Sequence, residues 1–97
     1  MTAEPIPANA RTKISARARL QTDKVTGKPV LLYPEGALVL NPTGHAIILL
    51  CTGQATLQQM IADLAGRYRV PPEEISPQVM DFLERLRARN LLEILSE

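Results

Sequence analysis

Apolar and polar positions along this 97-residue chain change period partway, from two to nearly four. From Arg17 onward Arg19, Gln21 and Asp23 alternate with Ala18, Leu20 and Thr22, the signature of a half-buried strand. Val25-Thr26-Gly27 breaks that alternation, and Pro29–Tyr33 is a second β-rich run. Pro34-Glu35-Gly36 is turn chemistry, with proline fixing φ at the first central position, and Ala37–Leu40 reads as a third short strand. Two successive hairpins imply a three-stranded antiparallel β-meander.

The period then lengthens. Asn41-Pro42 has the form of an N-cap followed by proline at the first helical position, which predicts a helix from Pro42 to about Cys51, stopped by Gly53. Thr56-Leu57-Gln58-Gln59 fits a capping box. Behind it Leu57, Met60, Ile61, Leu64, Ala65 and Tyr68 mark one face of a second helix. Pro71-Pro72 predicts its end and a connection. Ser76-Pro77 repeats the cap-plus-proline start, so the third helix is expected from there to about Arg89, with Val79, Phe82, Leu83 and Leu86 on one face. Leu91–Leu95 is a short apolar tail, readable as a last helical turn or as a strand. Residues 1–16 hold two prolines and no apolar periodicity, and read as a flexible basic N-terminal arm. The expected fold is therefore α+β and winged helix-turn-helix-like: a three-stranded antiparallel meander followed by three α-helices, in a domain spanning 17–97.

Composition narrows the function. Aromatics are limited to Tyr33, Tyr68 and Phe82, so the core must be aliphatic. The net charge of +1 exerts no general pull toward nucleic acid or membrane. It conceals an asymmetry, because Arg11, Lys13, Arg17, Arg19, Lys24 and Lys28 face only Glu4 and Asp23 in the first 28 residues. This is either a solvated basic arm or a segment that touches an acidic partner. The start lacks a signal-peptide stretch, and the apolar run Ala46–Cys51 is far short of the roughly 20 residues of a membrane span. A cytoplasmic protein is expected.

Catalytic constellations are not evident. His45 and Cys51 are the lone histidine and cysteine, and six positions apart on a helix they point to different sides. The glycines are isolated from one another, and one histidine with scattered acids does not supply a metal site. No enzyme activity, cofactor or metal is expected.

Binding surfaces are the alternative. The strand Ala37–Leu40 carries no charge to blunt an open edge, so an extended peptide could pair there, unless the chain's own arm or a second copy covers it. Edge pairing between copies would give a homodimer. The third helix would form the other wall, its less apolar flank presenting Met80, Glu84 and Arg87. Nucleic acid binding is the rival that the architecture suggests, with Gln78, Arg85, Arg87 and Arg89 on that helix. Asp81 and Glu84 among them would repel phosphates.

Several stretches resemble the PqqD family of pyrroloquinoline quinone (PQQ) biosynthesis. They are Arg19-Leu20-Gln21-Thr22-Asp23, Val30-Leu31-Leu32-Tyr33-Pro34-Glu35-Gly36, Leu40-Asn41-Pro42-Thr43-Gly44 and Ile48-Leu49-Leu50-Cys51-Thr52-Gly53, in the family's order from about Arg17 to Leu92. The chain departs at Thr52, where the family often carries an acid. The resemblance implies a peptide-recognition element that binds the ribosomal precursor peptide PqqA and delivers it to the radical S-adenosylmethionine enzyme PqqE. A non-peptide-binding subunit of the enzyme complex is the competing role. Carried onto this sequence, the peptide would lie on Leu38, Val39 and Leu40, against Val79, Phe82, Leu83 and Leu86. Of these, Phe82 and Leu86 are expected to be mostly structural, with Leu83 and Arg87 nearer the groove.

Overall fold

A computed structural model describes residues 6–95 of the chain. Its meander consists of β2 (Arg19–Thr22), β3 (Pro29–Tyr33) and β4 (Gly36–Val39), preceded in the sequence by a strand β1 (Arg11–Ile14). The β2–β3 connection closes because Asp23 Oδ1 accepts from the Val25 and Thr26 amides at 2.8 and 3.4 Å, while Gly27 takes φ +74°. A β-carbon would disfavour that left-handed conformation. Between β3 and β4 the loop is Pro34-Glu35, framed by the pair Tyr33↔Gly36. Leu20, Leu31 and Leu38 stand opposite one another across the three strands. They form the inward row, and Leu31 at its centre is fully buried.

Three helices follow, as the sequence predicts. Asn41 Oδ1 accepts from the Gly44 amide at 2.7 Å and starts α1 (Pro42–Leu50) with proline in the first turn. Thr56 and Gln59 form the full capping box of α2 (Leu57–Tyr68), which ends at Arg69 with φ 56°. The third helix corrects the sequence reading. α3 runs Pro72–Ala88, so it begins a turn before Ser76, and Pro77 lies inside it. Pro72 sits in the first turn with Glu73 and Glu74, where acids favour the positive end of the helix dipole. Pro77 removes one amide donor near the start of the helix on an exposed face, where water can serve the released carbonyl. Beginning early also brings Ile75 into the core at 4% exposure.

A second antiparallel sheet lies outside the pattern that the sequence predicts. Its order is β5-β1-β6, with β5 (Thr52–Thr56) and β6 (Leu92–Leu95) flanking β1. The apolar tail is thus a strand, and the expected arm 1–16 is corrected over its described part. Arg11–Ile14 is the central strand of this sheet, while residues 1–5 lie outside the described residues. The domain accordingly begins well before residue 17. Ile6 and Ala10 are buried, and the carbonyls of Ala10 and Ala8 accept from the Leu57 and Gln58 amides at 2.8 and 2.9 Å. Those two amides open α2 and have no partner within the helix. The N-terminal segment therefore caps α2 as well as pairing in the sheet.

The core between the sheets and helices is aliphatic. Leu31, Ile47, Met60, Leu64, Val79, Leu83, Leu86 and Leu91 are all fully buried. Thr12 is buried with them, its Oγ1 at 3.2 Å from Met60 Sδ and 3.5 Å from Cys51 Sγ. Burial pushes the Cys51 thiol up to about 11. No described helix is long and apolar enough to cross a membrane.

Candidate functional site

Hydrogen-bond parity fixes what the edge of the meander offers. Leu40 N donates to Pro29 O at 3.0 Å, and bonded pairs in an antiparallel ladder recur every second residue. Leu38 and Gly36 therefore bond to β3, and the N–H and C=O groups of Ala37 and Val39 point away from it. β4 is the last strand of its sheet, and no described segment pairs with that side. The described part of the N-terminal segment, one candidate cover for this edge, is committed to the other sheet. Among the described residues two rungs are unfilled.

Two cavities join this region to α3. The first, of about 220 Å³, is lined by Asn41, Thr43 and Gly44 on one side and by Gln78, Asp81, Phe82 and Arg85 on the other. The second, of about 330 Å³, joins Arg17, Tyr33 and Glu35 to Ala88, Arg89 and Asn90. They lie beyond the two ends of β4, and both are lined by the same flank of α3. Gln78, Asp81, Phe82, Arg85, Ala88 and Arg89 follow helical spacing and make up that flank. Gly44 permits the close approach of α1 at one end, since a Cβ there would stand 3.0 Å from Phe82 Cε1.

The expected site residues separate under this geometry. Val39 is 63% exposed on the strand, and Leu38 is half-buried with its side chain inward. Leu40 is buried just beyond the strand end. Phe82 is half-buried and lines the groove. Val79, Leu83 and Leu86 are fully buried core residues, as expected of Leu86, whereas Leu83, expected nearer the groove, exposes no surface. Met80 and Arg87 are half-buried on the opposite flank of α3, with Glu84, whose carboxylate lies 3.5 Å from Arg87. The strand is where the sequence predicts it. Gln78, Asp81, Arg85, Ala88 and Arg89, which the sequence pattern does not assign to a peptide groove, line the two cavities. Helical periodicity separates the faces of α3, but only its packing against α1 and the β3–β4 turn shows which one meets the edge.

Charge along the groove is mixed. Arg85 lies 3.3 Å from Asp81 on the exposed helix surface, an arrangement worth little in water. Arg17 Nη2 reaches both Glu35 oxygens, at 3.0 and 2.7 Å, and ties the start of the meander to its second turn. Among the described residues no group of three His, Cys, Asp or Glu could hold a metal ion.

Comparison with known proteins shows the family and the fold. The sequence profile of the family described as Coenzyme PQQ synthesis protein D (PqqD) matches residues 29–92. A PqqA binding protein of Rhizobium meliloti (strain 1021) is 35% identical over 89 residues, covering 92% of this chain and 91% of the relative. Another from Methylococcus capsulatus is 36% identical over 72 residues, covering 74% of this chain and 75% of that protein. Among solved structures, the chain is similar to the PqqD truncation of Methylobacterium extorquens PqqCD, determined by solution NMR and described as a functional, stand-alone RiPP recognition element. The TM-score is 0.72 at 29% identity, over 84% of this chain and 87% of that one.

Proposed function

Because the chain belongs to the PqqD family, we propose that it binds the precursor peptide PqqA by strand addition on β4 and presents it to the radical S-adenosylmethionine enzyme PqqE. It acts as a carrier and not as a catalyst. The observation that carries this reading is the pair of outward rungs at Ala37 and Val39, on a strand with a cavity against α3 beyond each end. Backbone bonds on such an edge supply affinity with little regard to sequence, and the flanking wall selects side chains.

A carrier needs reversible binding, and a two-rung edge suits that. Each net hydrogen bond contributes on the order of 1 kcal/mol, so the side-chain contacts decide between weak and useful affinity. The only described thiol is buried and stays protonated near neutral pH, consistent with a role that makes no covalent bond to its cargo. Two copies pairing through β4 would fill the same rungs, so dimerisation by this edge and peptide capture exclude each other.

Calorimetric titration with synthetic PqqA tests the proposal. Saturable one-to-one binding is the expected result. Absence of heat and of any spectral change, with the protein folded and in several buffers, would contradict it.

A further inference from the structure

The cavity at the turn end of the groove has a chemistry of its own. Tyr33 leans across toward the edge strand, since a Cβ at Gly36 would lie 3.6 Å from Tyr33 Oη. That hydroxyl makes no hydrogen bond among the described residues. Arg89, on the opposite wall of the same cavity, has no carboxylate partner among them either, and its Nη1 makes only a long 3.5 Å contact with Arg85 O. Glu35 is the one acid lining the cavity, and its two oxygens are taken by Arg17. With that pair neutralised, the surplus in the cavity is one guanidinium and one free hydroxyl.

Leu86 O accepts from the Arg89 and Leu91 amides and Arg87 O accepts from Asn90, so these two carbonyls near the end of α3 are engaged. Strand parity then says which peptide residue would arrive there. Residues directly opposite in paired strands project to the same face. A peptide residue opposite Ala37 or Val39 points outward, whereas one opposite Gly36 points inward with Leu38, toward α3 and into the cavity.

We propose that this cavity, between Tyr33 and Arg89, is a carboxylate subsite that takes an Asp or Glu side chain of the bound peptide at the position opposite Gly36. The inference rests on peptide binding at β4 and adds the side chain that the groove selects. Tyr33 Oη and the Arg89 guanidinium donate to the carboxylate, and the Arg17–Glu35 pair walls the end of the cavity. A charged hydrogen bond of this kind is worth about tenfold in affinity.

The test is a double-mutant cycle by calorimetry. Synthetic PqqA, and versions in which each Asp or Glu is changed singly to Asn or Gln, are titrated into the wild-type protein, Arg89→Gln and Tyr33→Phe. Lys24→Gln, at the far end of the meander, serves as the control. One acidic position of the peptide is expected to stand out. Its amide version binds wild type about tenfold more weakly and loses almost nothing further against Arg89→Gln, with a smaller coupling to Tyr33→Phe, while Lys24→Gln matches wild type. Equal affinity of Arg89→Gln and wild type, or a loss spread evenly over all peptide versions, overturns the subsite and leaves peptide binding standing. A wild-type protein that binds no PqqA overturns both.

Discussion

The two sheets are alike in size and opposite in construction. The meander β2-β3-β4 is made of neighbours in sequence, closed by two short turns, and among the described residues nothing pairs with the outer side of β4. The sheet β5-β1-β6 joins the two ends of the described chain, pairing Arg11 with Leu95 and with Thr56, and holds its first strand in the middle. One sheet offers a surface and the other clasps the fold. On the proposed reading, an edge left open for a peptide contributes less stability, and the clasp and the core beneath it supply the rest.

Removing the start of the clasp is the largest expected perturbation. A chain beginning at Arg11 loses the burial of Ile6 and Ala10 and the two carbonyls that cap α2. From side-chain burial and two lost hydrogen bonds, the expected loss is about 3 kcal/mol in urea unfolding. The fraction that remains folded should bind PqqA as before. A marked loss of affinity in that folded fraction would mean that the sheets do not divide their roles.

The next contrast lies within β4. Leu38→Pro removes an amide that bonds to β3 and should cost about 3 kcal/mol of stability. Val39→Pro removes an amide that points outward, so proline is tolerated there as on other edge positions, with less than about 1 kcal/mol lost. Peptide affinity, by contrast, should fall about tenfold or more in Val39→Pro, with one rung gone and a ring in the path of the added strand. Chemical denaturation and calorimetry on the two variants separate the effects.

How much of this was legible in the sequence follows the same division. The meander could be read because its partners are adjacent and its turns carry Gly27 and Pro34. The clasp could not, because Arg11-Thr12-Lys13-Ile14 places a threonine at the buried position, where an apolar residue would have shown the alternation. Its partners also lie some forty to eighty residues away. In α3, Ser76-Pro77 has the same form as the genuine start at Asn41-Pro42. What distinguishes them is Ile75, which is buried only if the helix begins earlier. The edge strand of the site was legible as an uncharged strand. The wall was not, because Gly44 and the β3–β4 turn, remote in sequence, decide which flank of α3 faces it.

Gly44 gives a smaller test. A Cβ there would lie 3.0 Å from Phe82 Cε1 and 3.1 Å from Asn41 Oδ1, so Gly44→Ala must displace the ring or weaken the cap. Overpacking costs about 1–3 kcal/mol. It is offset by the roughly 0.5–1 kcal/mol that Ala gains over Gly inside a helix, so a small net loss is expected. A shifted Phe82 should also change peptide affinity by a few fold. Thermal unfolding and calorimetry on this variant read both.

Cys51, beneath the clasp, has the smallest effect near neutrality. Its thiol is raised from 9.0 to about 11 by burial, so the unfolded chain loses its proton first. This contribution is fully present below about pH 9 and is lost as pH rises toward 11, on the order of 2–3 kcal/mol in all. Unfolding free energy measured from pH 8 to 11 on wild type and Cys51→Ala should show that slope in wild type alone.

Amide hydrogen exchange, residue by residue, with and without saturating synthetic PqqA, tests strand addition most directly. The Ala37 and Val39 amides should exchange fast in the free protein and become protected in the complex, while Leu38, already bonded to β3, changes little. Saturated binding that leaves Ala37 and Val39 unprotected, and protects Leu20 and Thr22 on the other edge of the meander instead, would contradict it.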